Sequence, residues 1–314
     1  MWLNLALLGY TCLAVVSILD KFILTKEKVS PAVFVFYSTF FLFPVSLLIP
    51  WLTPRPTLSS WALITIGALA FVLSLWAMYN AFQKSAISHI GPLIGAFIPI
   101  FILVLSRVFL GEQIMSTQIL GIILLSIGCL LISVQKKQPH HNWSTSIKFG
   151  IASAGLFSIF HVTAKSLYSE FGFSHGFLFL WGIVGVFGLS LLSMKEVRLA
   201  LFPEHRFWRG IYSKIFNHQP TPTPPKRGIE IITIVADKLL SVAGIVLVQY
   251  SVSLGSVSRV NALEGFRYGL LVILVAGLTK FWPEAFSEHY QVGEFRRELL
   301  AVFIIATGLY FLVI

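Results

Sequence analysis

The chain has 314 residues, of which 56% are hydrophobic and only 11% charged, with 23 Lys and Arg against 13 Asp and Glu. A soluble domain carries about a quarter charged residues, so the composition excludes one and marks an integral membrane protein. The net charge of +10 sits between apolar runs, where it sets orientation and meets anionic lipid, and nucleic acid is not an expected partner.

In chain order the apolar runs predict ten spans: 2–24, 31–50, 58–82, 89–111, 116–135, 147–169, 174–194, 229–251, 256–281 and 298–314. A helix needs roughly 20 apolar residues to cross a bilayer. No basic residue precedes the first apolar stretch, MWLNLALLGY, so it reads as a span and not as a cleaved signal peptide. Ser30-Pro31, TPRPT at 53–57 and QPHHN at 138–142 punctuate the junctions. Pro44, Pro92 and Pro99 fall inside spans, where neighbouring helices re-satisfy freed carbonyls. Small residues recur at helix-packing spacing as Gly91 and Gly95, Gly121 and Gly128, and Gly265 and Gly269. Trp51, Trp61, Trp143 and Trp282 stand at span ends, where amphipathic rings favour the membrane interface. Cys12 and Cys129 lie in apolar runs and read as packing residues. His140-His141 have no third ligand nearby in sequence, so no metal and no cofactor is expected. The polar segment 195–228 has two readings. Phe202, Phe207, Trp208, Ile211, Tyr212 and Phe216 among basic residues suit an interfacial amphipathic helix, whereas TPTPP suits a stiff linker in a variable loop.

The ninth span departs from its neighbours. VSRVNALEGFRYGLLVILVAGLT places Asn261, Glu264, Arg267 and Tyr268 near mid-membrane. Each ionised side chain there costs about 2.5–3.5 kcal/mol on insertion scales, so it faces protein, a counter-charge or water. Glu264 and Arg267 are three apart and meet on one helical face. Other polar residues inside spans join them as candidates for substrate or ion contact. Lys21 and Lys165 either snorkel to the interface or face the interior. His161, one turn before Lys165 on the same face, is either a proton relay or a satisfied core histidine. Asp237-Lys238 pair with neighbours or snorkel, and Asp20 neutralises Lys21. Tyr79, Asn80, Tyr250, Asn261 and Tyr268 are hydrogen-bonding liners.

The spans divide into five plus five. SILDKFIL of the first ends with Lys21 where HVTAKSLY of the sixth has Lys165; MYNAF and then FLGEQ, with Glu112, correspond to VQYSV and then KFWPE, with Glu284. The two pairings are offset differently, by an insertion that is visible as 195–228. Five helices per repeat force the second repeat to enter from the opposite side, so the expected fold is all-α, ten transmembrane helices as two inverted five-helix repeats, 1–137 and 147–314. Inverted repeats place a substrate site near the midplane where the halves meet.

On these residues the chain resembles the EamA-like branch of the drug/metabolite transporter superfamily. The first repeat carries the resemblance through Pro99, FLGEQ at 109–113 and the Gly-rich fifth span; the second is degenerate, with Pro283-Glu284 in place of Gly-Glu and with Arg259, Glu264 and Arg267 in a helix that is usually small and apolar. The resemblance implies a transporter of small metabolites with both termini inside. Charge implies the reverse: the loops after odd-numbered spans hold most of the Lys and Arg, which places them in the cytoplasm and the termini outside. The expected activity is secondary transport of a small polar metabolite, amino-acid-like or anionic, across the plasma membrane, with a proton as coupling ion. Burial opposes ionisation of Glu264 and Arg267 supports it, so coupling depends on how tightly the two pair. A flippase for an amphipathic or lipid-linked substrate is the alternative. An enzyme is not expected, since HExxH, GxSxG and phosphate-loop motifs are missing from the sequence.

Overall fold

In a computed structural model the described residues are 1–27, 30–85, 87–134, 143–201, 229–281 and 292–314, without the side chains of 21–27, 87–88, 229–234, 279–281 and 292–295. The Lys21 side chain, His140-His141, Trp282, Glu284 and the aromatic residues of 202–228 lie outside this description. Every described regular element is helical: α1 (Trp2–Glu27), α2 (Pro31–Phe40), α3 (Phe43–Ser46), α4 (Leu58–Lys84), α5 (Ile87–Phe109), α6 (Ser116–Ser133), α7 (Trp143–Ser190), α8 (Lys195–Leu201), α9 (Ile229–Leu254), α10 (Val257–Ala262), α11 (Glu264–Phe281) and α12 (Val292–Val313), with 3₁₀ turns at Ile49–Trp51 and Leu191–Ser193.

Among the described residues seven helices are long and apolar enough to cross a membrane, or eight if Pro31–Phe40 and Phe43–Trp51, inclined by 46°, form one bent span. The chain is therefore a multi-pass membrane protein. The count differs from ten at identifiable places. The second span is the bent pair, opened by Pro31 and by the Ser30 hydroxyl, which accepts from the Val33 N–H. The sixth and seventh merge in α7, whose span runs Trp143–Ser193 over 51 residues. The tenth, α12, carries Glu294, Arg296, Arg297 and Glu298 in its first two turns, which lowers its apolar character.

A straight helix of that length would reach about 75 Å at 1.5 Å per residue, more than twice the roughly 30 Å hydrocarbon core. It does not run straight. Gly172 adopts φ 75° and ψ 167°, a region open to glycine and costly for other residues. Beyond it a Cβ on Gly176 would lie 2.9 Å from the Leu167 carbonyl oxygen, so the two arms fold back on each other.

Glycines set the closest helix contacts. Gly67 of α4 faces Thr163 and Leu180, one on each arm of α7. Gly182, Gly185 and Gly188 receive α2 and α3, Gly9 and Gly244 bring α1 against α9, and Gly121 and Gly128 bring α6 against Gly308, Ala301 and Ile305 of α12. In lipid, where apolar burial between helices gives little, such backbone approach is the main source of packing attraction. The outer surface is apolar as well: Ile66, Leu69, Leu73 and Trp76 form an exposed stripe on α4 at helical spacing. Beyond the bundle, Val197 of α8 is buried against Ala32, Val33 and Phe36 of α2.

A methyl group at Gly121 would sit 2.7 Å from the Leu312 backbone nitrogen, whereas at Gly155 it meets nothing within 4 Å. Gly121→Ala is therefore expected to destabilise by about 1–3 kcal/mol through overpacking, and Gly155→Ala to be neutral or stabilising by up to about 1 kcal/mol. Thermal melting in detergent checks both, and equal melting temperatures would contradict the α6–α12 contact.

Candidate functional site

Helices α1, α2, α4, α5, α7, α9 and α11 enclose a cavity of about 190 Å³. A water needs roughly 10–15 Å³ on this measure, so the space suits a small metabolite. One wall begins where the ninth span is interrupted. Ser256 caps α10 by accepting from the Arg259 N–H at 3.1 Å, the helix tightens as the Leu263 N–H donates to Val260 O at 3.2 Å, and α11 restarts at Glu264. A carboxylate at a helix start is favoured by the helix dipole. Gly91 and Gly95 of α5 lie against the Tyr268 ring, which leaves no room for side chains there.

The first charged group centres on Arg267. Its Nη1 donates to Glu264 Oε1 at 2.6 Å and its Nη2 to Ser17 Oγ of α1 at 2.7 Å. The Ser17 hydroxyl in turn donates to Leu13 O at 2.9 Å. The guanidinium lies 5.4 Å from the Tyr268 ring centroid, within cation–π range. Its Nε is buried with no hydrogen-bond partner among the described residues. In an effective dielectric of about 20, opposite charges 4 Å apart gain about 4 kcal/mol. That offsets the insertion cost of about one of the two charges, so the pair remains a costly element for the fold.

The second charged group joins α1 to α9. Lys238 Nζ lies 2.9 Å from Asp237 Oδ2 and 3.6 Å from Asp20 Oδ1, and 4.4 Å from the centroid of Phe34. Asp20 and Lys238 line the cavity; Asp237 is fully buried behind them. Tyr79 stands nearby with its hydroxyl 3.5 Å from Ser38 Oγ. At the opposite end the Tyr168 hydroxyl donates to Gln249 Oε1 at 3.0 Å, and Gln249 Nε2 is 3.4 Å from His161 Nδ1. Between the two ends an aromatic wall is built from Phe71, Phe160, Phe177 and Trp181, with Phe71–Phe160 and Phe71–Trp181 centroids 4.7 and 4.8 Å apart.

Seven of the residues singled out in the sequence thus line the cavity: Glu264, Arg267, Tyr268, Tyr79, His161, Asp20 and Lys238. Others stand elsewhere. Lys165 donates to the carbonyls of Val252, Ser253 and Gly255 at 3.0, 3.3 and 2.8 Å, so its ammonium caps the end of α9. Asn261 and Asn80 bond within their own helices, to Val257 O at 2.9 Å and Trp76 O at 2.8 Å. Tyr250 packs on Phe173, centroids 4.9 Å apart. Glu112 accepts from Ser258 at 2.6 Å, and the Ser258 hydroxyl is 2.8 Å from Ser106 Oγ. Gly111, at φ 64°, lets the Glu112 N–H turn back to Ser106 O at 3.3 Å, a C-terminal cap of α5, and the Glu112 carboxylate then ties α5 to Ser258 of α10 outside the cavity. Ser17, Gln249 and Tyr168 were not evident as site residues, because their partners depend on which helix faces meet.

Residues 1–134 match the family profile of the EamA-like transporter family, which belongs to the drug/metabolite transporter superfamily. No curated protein matches the chain. Among solved structures 27 chains match. One crystal structure superposes with a TM-score of 0.62 at 14% identity, covering 98% of this chain and 96% of the other; at that identity the likeness concerns the fold alone.

Lys165 is expected to act on stability. Lys165→Met removes three bonds from an ammonium, of a kind worth about 1.5–3 kcal/mol each to a charged donor and less where solvent reaches them. The variant should melt at lower temperature while binding ligand with unchanged affinity, measured by isothermal titration. Loss of affinity at unchanged melting temperature would return Lys165 to the site.

Proposed function

We propose that this chain, whose residues 1–134 carry the sequence pattern of the EamA-like transporters, is a secondary transporter that moves a small amino-acid-like metabolite across the plasma membrane by alternating access. The ten-span architecture belongs to this reading. Two inverted units, 1–137 and 147–314 with the insertion 195–228, rock about a site at their junction. Support comes from the walls of the cavity, to which α1, α2, α4 and α5 contribute from one unit and α7, α9 and α11 from the other.

One observation carries the substrate class. Arg267 Nε is buried without a hydrogen-bond partner among the described residues, and Asp20 Oδ1, an acceptor of opposite charge, has no closer partner there than the shared Lys238 ammonium at 3.6 Å; both residues line the cavity. Unmade bonds to buried charged groups cost more than neutral ones. A zwitterion completes both, its ammonium at Asp20 and its carboxylate at Arg267. A purely anionic substrate would leave Asp20 and Glu264 in excess. The aromatic wall gives an apolar body a place beside these two contacts. An amphipathic or lipid-linked substrate needs an additional lateral opening for its tail, and lipid retained through purification would mark that alternative.

Counterflow in proteoliposomes preloaded with a mixed panel of L-amino acids tests the proposal. The wild type should exchange at least one panel member saturably. Arg267→Gln and Asp20→Asn should each lower that exchange by about 10–100-fold, the equivalent of one charge-assisted hydrogen bond of about 1.5–3 kcal/mol. A wild type that exchanges no zwitterion, or variants that exchange at the wild-type rate, would contradict it.

A further inference from the structure

The cavity is closed more tightly at its charged end than at its side. Asp20 and Lys238 line it with side chains only 18% and 12% exposed. Among the described lining residues the exposed ones are Phe41, at the bend between α2 and α3, and Val242 of α9, at 52% and 38%. Both stand halfway along their spans. Phe41 falls ten residues after Pro31 and ten before Trp51, and Val242 thirteen after Ile229 and twelve before Leu254. At 1.5 Å per residue, ten residues cover about 15 Å, half of a hydrocarbon core of roughly 30 Å. This side of the cavity therefore faces the middle of the bilayer and not water. Among the described residues the α2 and α9 backbones do not pack closely on one another. The Lys238 ammonium bridges them, 4.4 Å from the Phe34 ring centroid, and beyond that bridge Ser38 and Ser241 border the cavity from the two helices. Behind the seam stand Phe71, Leu75, Phe160 and Trp181, all buried from the outer surface.

We propose that the seam between α2 and α9 admits the end of one acyl chain of a bilayer phospholipid, which fills the aromatic part of the cavity while its headgroup stays at the interface. An apolar cavity of about 150 Å³ stays dry and takes up an apolar guest such as benzene, and the space here is about 190 Å³. Left empty, its walls forgo the dispersion contacts that a guest supplies. The medium at the opening is hydrocarbon. Acyl chains of each leaflet span half of the core, so their methyl ends lie at the depth of Phe41 and Val242. A headgroup would have to leave the interface and cross hydrocarbon to reach the same opening, at a high cost in lost hydration. Because the headgroup remains outside, this lipid exchanges with the bilayer, unlike an amphipathic substrate held by Asp20 and Arg267. The site does not depend on the transporter reading.

Photolabelling of the full chain in liposomes tests the site at two depths. One phosphatidylcholine carries a diazirine near the methyl end of its acyl chain and another carries it near the glycerol, and mass spectrometry of the peptides reads the labelled residues. The methyl-end probe should label Phe71, Leu75 or Phe160, which are buried from the outer surface, together with the outward-facing Leu69 and Leu73 of α4. The glycerol-end probe should leave the three buried residues unlabelled. Label confined to outer residues with both probes would overturn the site. Cavity label from the glycerol-end probe would overturn it in favour of a lipid drawn in with its headgroup. Val242→Trp, which fills the seam, should abolish the cavity label while Leu73 stays labelled. Leu239→Trp, at an exposed position of the same helix outside the cavity lining, should leave the cavity label unchanged. Cavity label that survives Val242→Trp, or that both variants abolish, would overturn the route through the seam. Comparison of the two probes on the wild type decides the site even if a variant fails to fold.

Discussion

The structure depends on keeping five ionisable side chains inside a low-dielectric bundle. Asp20, Asp237, Lys238, Glu264 and Arg267 belong to three helices, α1, α9 and α11, and none can face lipid without a cost of about 2.5–3.5 kcal/mol or more. Pairing across helices is the available solution, and it fixes the relative rotation of all three. Arg267 must reach both Glu264 and Ser17, and Lys238 must reach both Asp237 and Asp20. Where these charges meet, the long side chains hold the backbones apart, and α1 and α9 close upon one another only further along, at Gly9 and Gly244. The cavity is the space that remains.

Packing elsewhere takes the opposite form. Glycines at Gly9 and Gly244, Gly121 and Gly308, and Gly67 bring backbones together where no charge intervenes. Polar ties gather at one end of the bundle, where the Arg259 guanidinium lies 5.1 Å from the Trp2 ring, Lys165 caps α9, Glu112 holds Ser258, and Ser60 donates to Glu170 at 2.6 Å. The charged group of Asp20 and Lys238 sits toward the other end. On the proposed transporter reading, a rim fastened at one end with a charged cavity behind it corresponds to one state of an alternating-access cycle.

Part of this was legible in the residues alone. Composition fixed the membrane class, and the three-residue spacing of Glu264 and Arg267 placed them on one face, because that contact lies within a single helix. The break at Gly172 falls between the expected spans 147–169 and 174–194, since the sequence there turns polar and glycine-rich. What was not legible involves contacts between helices. Nothing in HVTAKSLY distinguishes a lysine that enters a cavity from one that caps α9, and nothing near Asp20 indicates that Lys238 reaches it from α9. Asn261 and Asn80 read as liners because polarity within a span is visible, whereas their bonds to their own helices depend on rotamer. The bend at Phe41 and Leu42 has a local signal in Pro44, in the first turn of α3, which has no N–H to give the Phe40 carbonyl; its angle follows the way α2 and α3 pack onto Gly182, Gly185 and Gly188 of α7.

The most direct measurement of the central claim, a charged cavity that meets substrate alternately from both sides, is maleimide labelling of Ser38→Cys in a background lacking Cys12 and Cys129. Ser38 lines the cavity. In proteoliposomes the account predicts labelling by impermeant reagent from either side of the membrane, slowed by saturating exchanged amino acid. Labelling from one side only, at a rate indifferent to the amino acid, would contradict it.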